Sequence, residues 1–283
     1  MILTVSVWVV ITIIAVAFLC EYMDSTLGMG YGTTLTPVLL LLGFNPMQVI
    51  PAILLSELIT GLFAGFVHHR EGNVNFRPET TDFSKIVHQL KALGYVESFR
   101  RGIPLHLRVA LLLAICSIIG TVTAVFVVFN IPKLWLKLYI GCLVLSMGAV
   151  MVICLNKEFK FSWNKITSLG LIASFNKGMS GGGYGPVITG GQILSGIEGK
   201  NAVGITSLAE GLTCLVGVIT YVLLSKRAIN WELAPIIIAG AVISVPFSAV
   251  SVKKLSSRNL RLAIAIITIV LGSLTIIKTL MSG

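Results

Sequence analysis

Two glutamates and one lysine stand inside apolar runs of this chain, where a charged group is costly unless something uses it. Glu57 and Glu210 each lie well within a hydrophobic stretch, and Lys177 is the basic residue nearest a glycine cluster. A carboxyl removed from water favours its neutral form, so each glutamate could carry a proton. It could equally be a hydrogen-bonded acid that stitches two helices together. Lys177 offers positive charge to an anion. Glu21 and Asp24, at the end of the first apolar run, read as markers of its boundary.

The glycine clusters supply the second chemical signal. Gly28-Met29-Gly30-Tyr31-Gly32 returns 153 positions later as Gly181-Gly182-Gly183-Tyr184-Gly185. Unpaired backbone groups in hydrocarbon cost several kcal/mol each, so irregular backbone at membrane depth is expected only where protein buries it or a cavity is lined. Each cluster leads into a short helix-like piece, from Thr33 and from Pro186. The free N–H groups and positive dipole end of such a helix start suit an anion. Gly30, Tyr31, Gly32, Gly183, Tyr184 and Gly185 are therefore candidate substrate-binding residues. Thr33, Thr34 and Ser180 add hydroxyls and Lys177 adds charge. Glu57 and Glu210 are the candidates for proton coupling. The competing reading of the glycines is close helix packing.

These residues belong to a chain that must lie mostly in lipid. Of its 283 residues 55% are hydrophobic and only 11% charged, with a mean hydropathy of +0.95, far from the soluble range. Runs near 1–20, 48–67, 105–129, 134–155, 201–225, 232–252 and 259–280 are long enough to span, and a shorter one near 164–176 continues into the second glycine cluster. The first run has no basic residue ahead of it and reads as a retained span. The net charge of +10 is dispersed between spans, as positive-inside bias requires, so no nucleic-acid partner is expected.

The five cysteines contain no CxxC and read as apolar filler. His68-His69 adjoin, without the helical spacing of two metal ligands, and read as a solvated interfacial pair. No metal site, cofactor or catalytic constellation is expected.

The repeat extends past its glycines. Thr36 falls on Thr189, Glu57 on Glu210 and Thr60 on Thr213, and Gly148 matches Gly272 at a shorter offset. The change of offset comes from a segment at about 77–104 present only in the first half. Phe83, Ile86, Val87, Leu90 and Leu93 there predict an amphipathic helix on the cytoplasmic interface. The expected architecture is an all-α integral membrane protein with repeats 1–156 and 157–283. Each repeat has long helices plus one short, glycine-interrupted helix, giving about eight long spans in all. The short pieces would cross half a bilayer as helix. A crossing assignment, with ten crossings and inverted halves, places more of the 21 Lys and Arg on the side of the 68–108 connection than a re-entrant one does. Duplicated hydrophobic units with broken helices and a buried acid in each are the pattern of a secondary transporter.

The run Gly30-Tyr31-Gly32-Thr33-Thr34-Leu35-Thr36-Pro37, then Ser56-Glu57-Leu58 and His68-His69-Arg70-Glu71-Gly72-Asn73-Val74, resembles the TauE/SafE sulfite exporter family, also called toluene-sulfonate uptake permeases. Phe175-Asn176-Lys177-Gly178 ahead of the second cluster is similar to it too. The resemblance implies a two-repeat permease of a prokaryotic cell membrane. Its substrate would be sulfite, a sulfonate or a related small organic anion. The partners expected are that anion and the lipid bilayer, with a homodimer left open.

Other classes fit less well. Gly-Tyr-Gly resembles the potassium filter, but a filter follows its short pore helix, and here the short helix comes after the glycines. A membrane-embedded hydrolase would need a nucleophile with a base beside it, or an acid pair; only Glu57 and Glu210 could pair so. A non-transporting assembly subunit would have no use for two buried acids.

Overall fold

A computed structural model describes residues 7–78, 102–153, 162–194, 197–225, 228–252 and 257–281 of the chain. Most of the 77–104 segment, with its expected amphipathic helix, lies outside the described residues. Ten helices are described. They are α1 (Val7–Leu27), α2 (Tyr31–Leu41), α3 (Pro46–Arg70), α4 (Leu105–Asn130), α5 (Lys133–Ile153), α6 (Trp163–Ser180), α7 (Gly185–Leu194), α8 (Gly199–Leu224), α9 (Ala234–Ser251) and α10 (Ser257–Met281). Six of them are long and apolar enough to cross a membrane: α1, α3, α4, α5, α8 and α9. The order expected for each half, with one short helix after a glycine break, is the order observed.

Local signals explain the breaks. Gly28 and Gly181 both adopt φ near +70°, a left-handed conformation that favours glycine, and so end α1 and α6 at equivalent points. Their N–H groups donate to the carbonyls of Asp24 and Lys177 respectively. Gly30 (φ 132°) and Gly183 (φ 77°) then turn the chain into α2 and α7. The short helices begin at Tyr31 and Gly185, one or two residues before the sequence suggests. At α3 the Asn45 side chain accepts from the Met47 N–H, Gln48 reaches back to the Asn45 N–H, and Pro46 opens the helix.

The most extensive helix contacts run between the first five helices and the last five: α5 with α10, α4 with α6, α3 with α8 and α1 with α9. Small residues permit these close approaches. Gly61 lies against Gly211 and Ser207, Gly65 against Leu208, and Gly217 against Leu54, so α3 and its repeat counterpart α8 pack antiparallel. The other counterparts in contact, α5 and α10, also pack antiparallel, with Gly141 on Ile276 and Gly148 on Ile269. By contrast α1 runs parallel to α9, with Ile14 on Gly240 and Phe18 near Phe247.

A matching pair of clamps holds the end of α1 and of α6. His68 Nε2 donates to the Ser25 carbonyl (2.9 Å), and the Tyr221 hydroxyl donates to the Gly178 carbonyl (3.0 Å). These four residues correspond under the same 153-residue shift. His68 is fully buried and also accepts from Asn73 Nδ2, so the solvated pair expected from sequence is not what forms. It locks helices together because its neighbours present a carbonyl and an amide.

Antiparallel packing of α3 and α8 puts the ends of these two helices at opposite faces of the molecule. Arg77 follows α3, Glu232 follows α8, and both are exposed. Single cysteines at the two positions should react with a membrane-impermeant maleimide from opposite sides of sealed vesicles. Labelling of both from one side would contradict this packing.

Candidate transport site

The two glycine breaks meet backbone to backbone. A Cβ on Gly32 would overlap the Gly181 carbonyl, and one on Gly185 would overlap the Gly28 carbonyl. These contacts are a symmetric pair, each being the other shifted by one repeat. A Cβ on Gly182 would come within 2.6 Å of the Gly32 carbonyl carbon. The protein's own main chain therefore takes the space beside Gly32, Gly182 and Gly185. Threonines staple the crossing: Thr36 donates to the Ser180 carbonyl (2.9 Å) and Thr189 to that of Gly28 (2.6 Å). Close packing, the competing reading of the glycines, is what the geometry displays at these three positions.

Beside this crossing lies the charged centre. Lys177, with no exposed surface, reaches across to α8 and α3. Its ammonium donates to Glu210 Oε1 at 2.6 Å and is paired with Glu57 Oε2. Each glutamate comes from a different repeat. Glu57 Oε1 and Glu210 Oε2 are buried without a hydrogen-bond partner. The Cys214 thiol approaches Glu57 Oε2 at 3.9 Å. Asp24, Glu57 and Glu210 bring one oxygen each within 4.8 Å of one another, a spacing that could hold a cation. Here the Lys177 ammonium supplies positive charge to two of the three.

Glu21 and Asp24 do not mark a solvent boundary. Both are buried, and with Glu57 and Glu210 they line a narrow crevice that Ser25 and Thr60 complete. Glu21 accepts from the hydroxyls of Ser25 (2.6 Å) and Thr60 (3.0 Å). Asp24 accepts from the Tyr31 N–H at the start of α2 (3.2 Å). One signal could have placed Asp24 here: it is the repeat counterpart of Lys177. Four carboxyl groups and one ammonium in a buried centre are not neutral if all are charged. Such burial calls for bound protons or further positive charge.

The remaining expected residues take varied places. Tyr31 and Tyr184 are fully buried at the starts of α2 and α7. The Ser180 hydroxyl is committed locally, donating to the Asn176 carbonyl (2.8 Å) and accepting from the Gly182 N–H (3.0 Å). The Thr33 and Thr34 hydroxyls are buried without a partner. Gly30 has room for a side chain beside Met23 but not the φ for one, and Gly183 packs near Leu143 and Asn176. Among all the expected residues, Lys177, Glu57 and Glu210 are the ones whose side chains the structure joins directly.

A chain whose described residues form only helices, six of them fit to span a bilayer, with a buried charged centre where two interrupted helices cross, is a multi-pass membrane transporter in class. The chain belongs to the sulfite exporter TauE/SafE family, whose profile matches residues 13–79 and 84–275. It is similar to a Bacillus subtilis (strain 168) protein described as a probable membrane transporter, YtnM. The two are 25% identical over 276 residues, covering 93% of this chain and 81% of the relative. No solved structure matches the chain.

Removing one member of a buried ion cluster leaves uncompensated charge. Lys177→Met should lower stability by about 3–5 kcal/mol, read as a fall in Tm in detergent. Adding Glu57→Gln and Glu210→Gln should restore most of it. A single Lys177→Met variant as stable as the parent would mean the glutamates are not held by this ammonium.

Proposed function

We propose that this protein is a secondary transporter of a small oxyanion, such as sulfite or a sulfonate, that couples anion movement to protons. One observation carries the reading: the buried Lys177 ammonium is shared by Glu57 and Glu210, one from each repeat. A lysine neutralised by two carboxylates attracts no anion. Protonation of the glutamates removes their claim on the ammonium, and the substrate's negative charge can then take their place. Protons and anion thus bind together because they share one cation. Positive charge at the start of α7, next to the break that Lys177 adjoins, adds to the attraction.

The repeats are inverted on this reading, and the antiparallel packing of α3 on α8 and of α5 on α10 supports it. A twofold axis perpendicular to paired spanning helices lies in the membrane plane, which is the symmetry of alternating access. Repeats 1–156 and 157–283 then rock about the glycine crossing, where main chain slides on main chain. The Bacillus relative and the family's name favour a prokaryotic plasma membrane and a sulfur oxyanion as cargo.

The test is transport by protein reconstituted into liposomes. A pH gradient should drive uphill accumulation of labelled sulfite by the parent protein. The Glu57→Gln/Glu210→Gln variant keeps shape but cannot exchange protons at these sites. It should retain sulfite-for-sulfite exchange and lose gradient-driven accumulation. In that background, Lys177→Met should weaken sulfite binding about tenfold to a hundredfold, the worth of a hydrogen bond to a charged group. Full accumulation by the double glutamine variant would rule out coupling through these acids.

A further inference from the structure

The two glycine breaks are equivalent in backbone and unlike in the polar groups around them. At the first, the Asp24 carboxylate accepts the N–H of Tyr31, the first residue of α2. An acceptor oxygen of the protein itself thus sits at the positive end of that helix. The Tyr31 hydroxyl is satisfied as well, bonded to Ser56 Oγ at 2.6 Å. At the second break both partners have changed. The counterpart of Asp24 is Lys177, and the counterpart of Ser56 is Ala209.

The consequence is visible at Tyr184. Its side chain has no exposed surface, and its hydroxyl has no hydrogen-bond partner. It faces Thr213 and Glu210 on α8, the helix that also holds the Lys177 ammonium. The Thr213 hydroxyl gives its own proton to the Ala209 carbonyl (2.8 Å), and the tyrosine does not reach bonding geometry with it. A buried hydroxyl left unsatisfied costs about 1–3 kcal/mol. α7 is ten residues long, so its N-terminus is a full helix start.

We infer that the substrate site is one-sided: a single oxyanion binds per chain at the second break, accepting a hydrogen bond from the Tyr184 hydroxyl and charge from Lys177, while a carboxyl oxygen of Asp24 fills the equivalent place at the first break. The inference rests on the transporter reading and deepens it by naming the half that binds. Its ligand class is a small anion with a free oxygen acceptor, since the group waiting for it is a phenolic O–H. Asp24 keeps the first helix start from drawing a second anion, so the divergence of the repeats sets a stoichiometry of one.

Equilibrium binding of labelled sulfite to the detergent-solubilised protein tests this. The parent should bind one sulfite per chain. Tyr184→Phe should weaken binding about tenfold, the worth of one good hydrogen bond to a charged group, while leaving Tm unchanged or raised, because it removes an unsatisfied hydroxyl. Tyr31→Phe/Ser56→Ala, which removes both partners of the other bond, should change affinity less than twofold. Two sulfites per chain, or equal loss in the two variants, would overturn the one-sided site while leaving the transporter reading standing. A parent protein that binds no sulfite or alkanesulfonate at all would take the reading of a sulfur oxyanion as cargo down with it.

Discussion

Among the described residues the ammonium of Lys177 is the one cation in a centre with four carboxyl groups, and the structure around it follows from the need to hold it there. A lysine without exposed surface pays a large desolvation cost, which only close, well-directed acceptors offset. Glu57 arrives from α3 and Glu210 from α8, so the ion cluster joins the two halves. The two acids sit at repeat-related positions on antiparallel neighbours, and both reach the same ammonium. The glycines Gly61 and Gly211 let those neighbours approach until their backbones touch. Packing and electrostatics thus act on one pair of helices.

A second constraint is the crossing of the two breaks. Contacts of Gly32 with Gly181 and of Gly28 with Gly185 are the same contact seen twice, which fixes a local twofold relation between the halves. Against that symmetric backbone, chemistry diverges at a few side chains. Asp24 stands against Lys177, Ser56 against Ala209 and His68 against Tyr221. The last exchange preserves a hydrogen bond to the same carbonyl position, so it conserves structure. The first two do not, and they leave the Tyr31 hydroxyl bonded to Ser56 and that of its counterpart Tyr184 without a partner. A duplicated scaffold can keep its packing twofold while its binding chemistry becomes single.

Much of this was legible in the sequence, and the gaps have physical causes. Apolar run lengths marked the long helices, and the glycine clusters marked where α1 and α6 stop, because positive φ at Gly28 and Gly181 requires glycine. Glu57, Glu210 and Lys177 stood out as charges in lipid, but their direct pairing did not, since it depends on a tertiary approach over 33 residues or more of chain. Glu21 and Asp24 were misread as boundary residues because linear hydropathy ends a span at the first acid, whereas α1 continues to Leu27 with both acids inside. His68 beside His69 and Arg70 looked like a wet interface, and burial of one of the three cannot be read from adjacency. The glycines also carried two possible meanings that only backbone coordinates separate, and at Gly32 and Gly185 the answer is contact with the other break.

If anion and glutamates compete for one ammonium, then binding an anion must take up protons. Calorimetric titration of the solubilised protein with benzenesulfonate measures this directly, because that anion does not itself titrate near neutral pH. Repeating it in buffers of different ionisation enthalpy yields the number of protons taken up per anion bound. The account predicts net proton uptake in the parent protein and none in the Glu57→Gln/Glu210→Gln variant. Saturable benzenesulfonate binding with no proton uptake by the parent would contradict it.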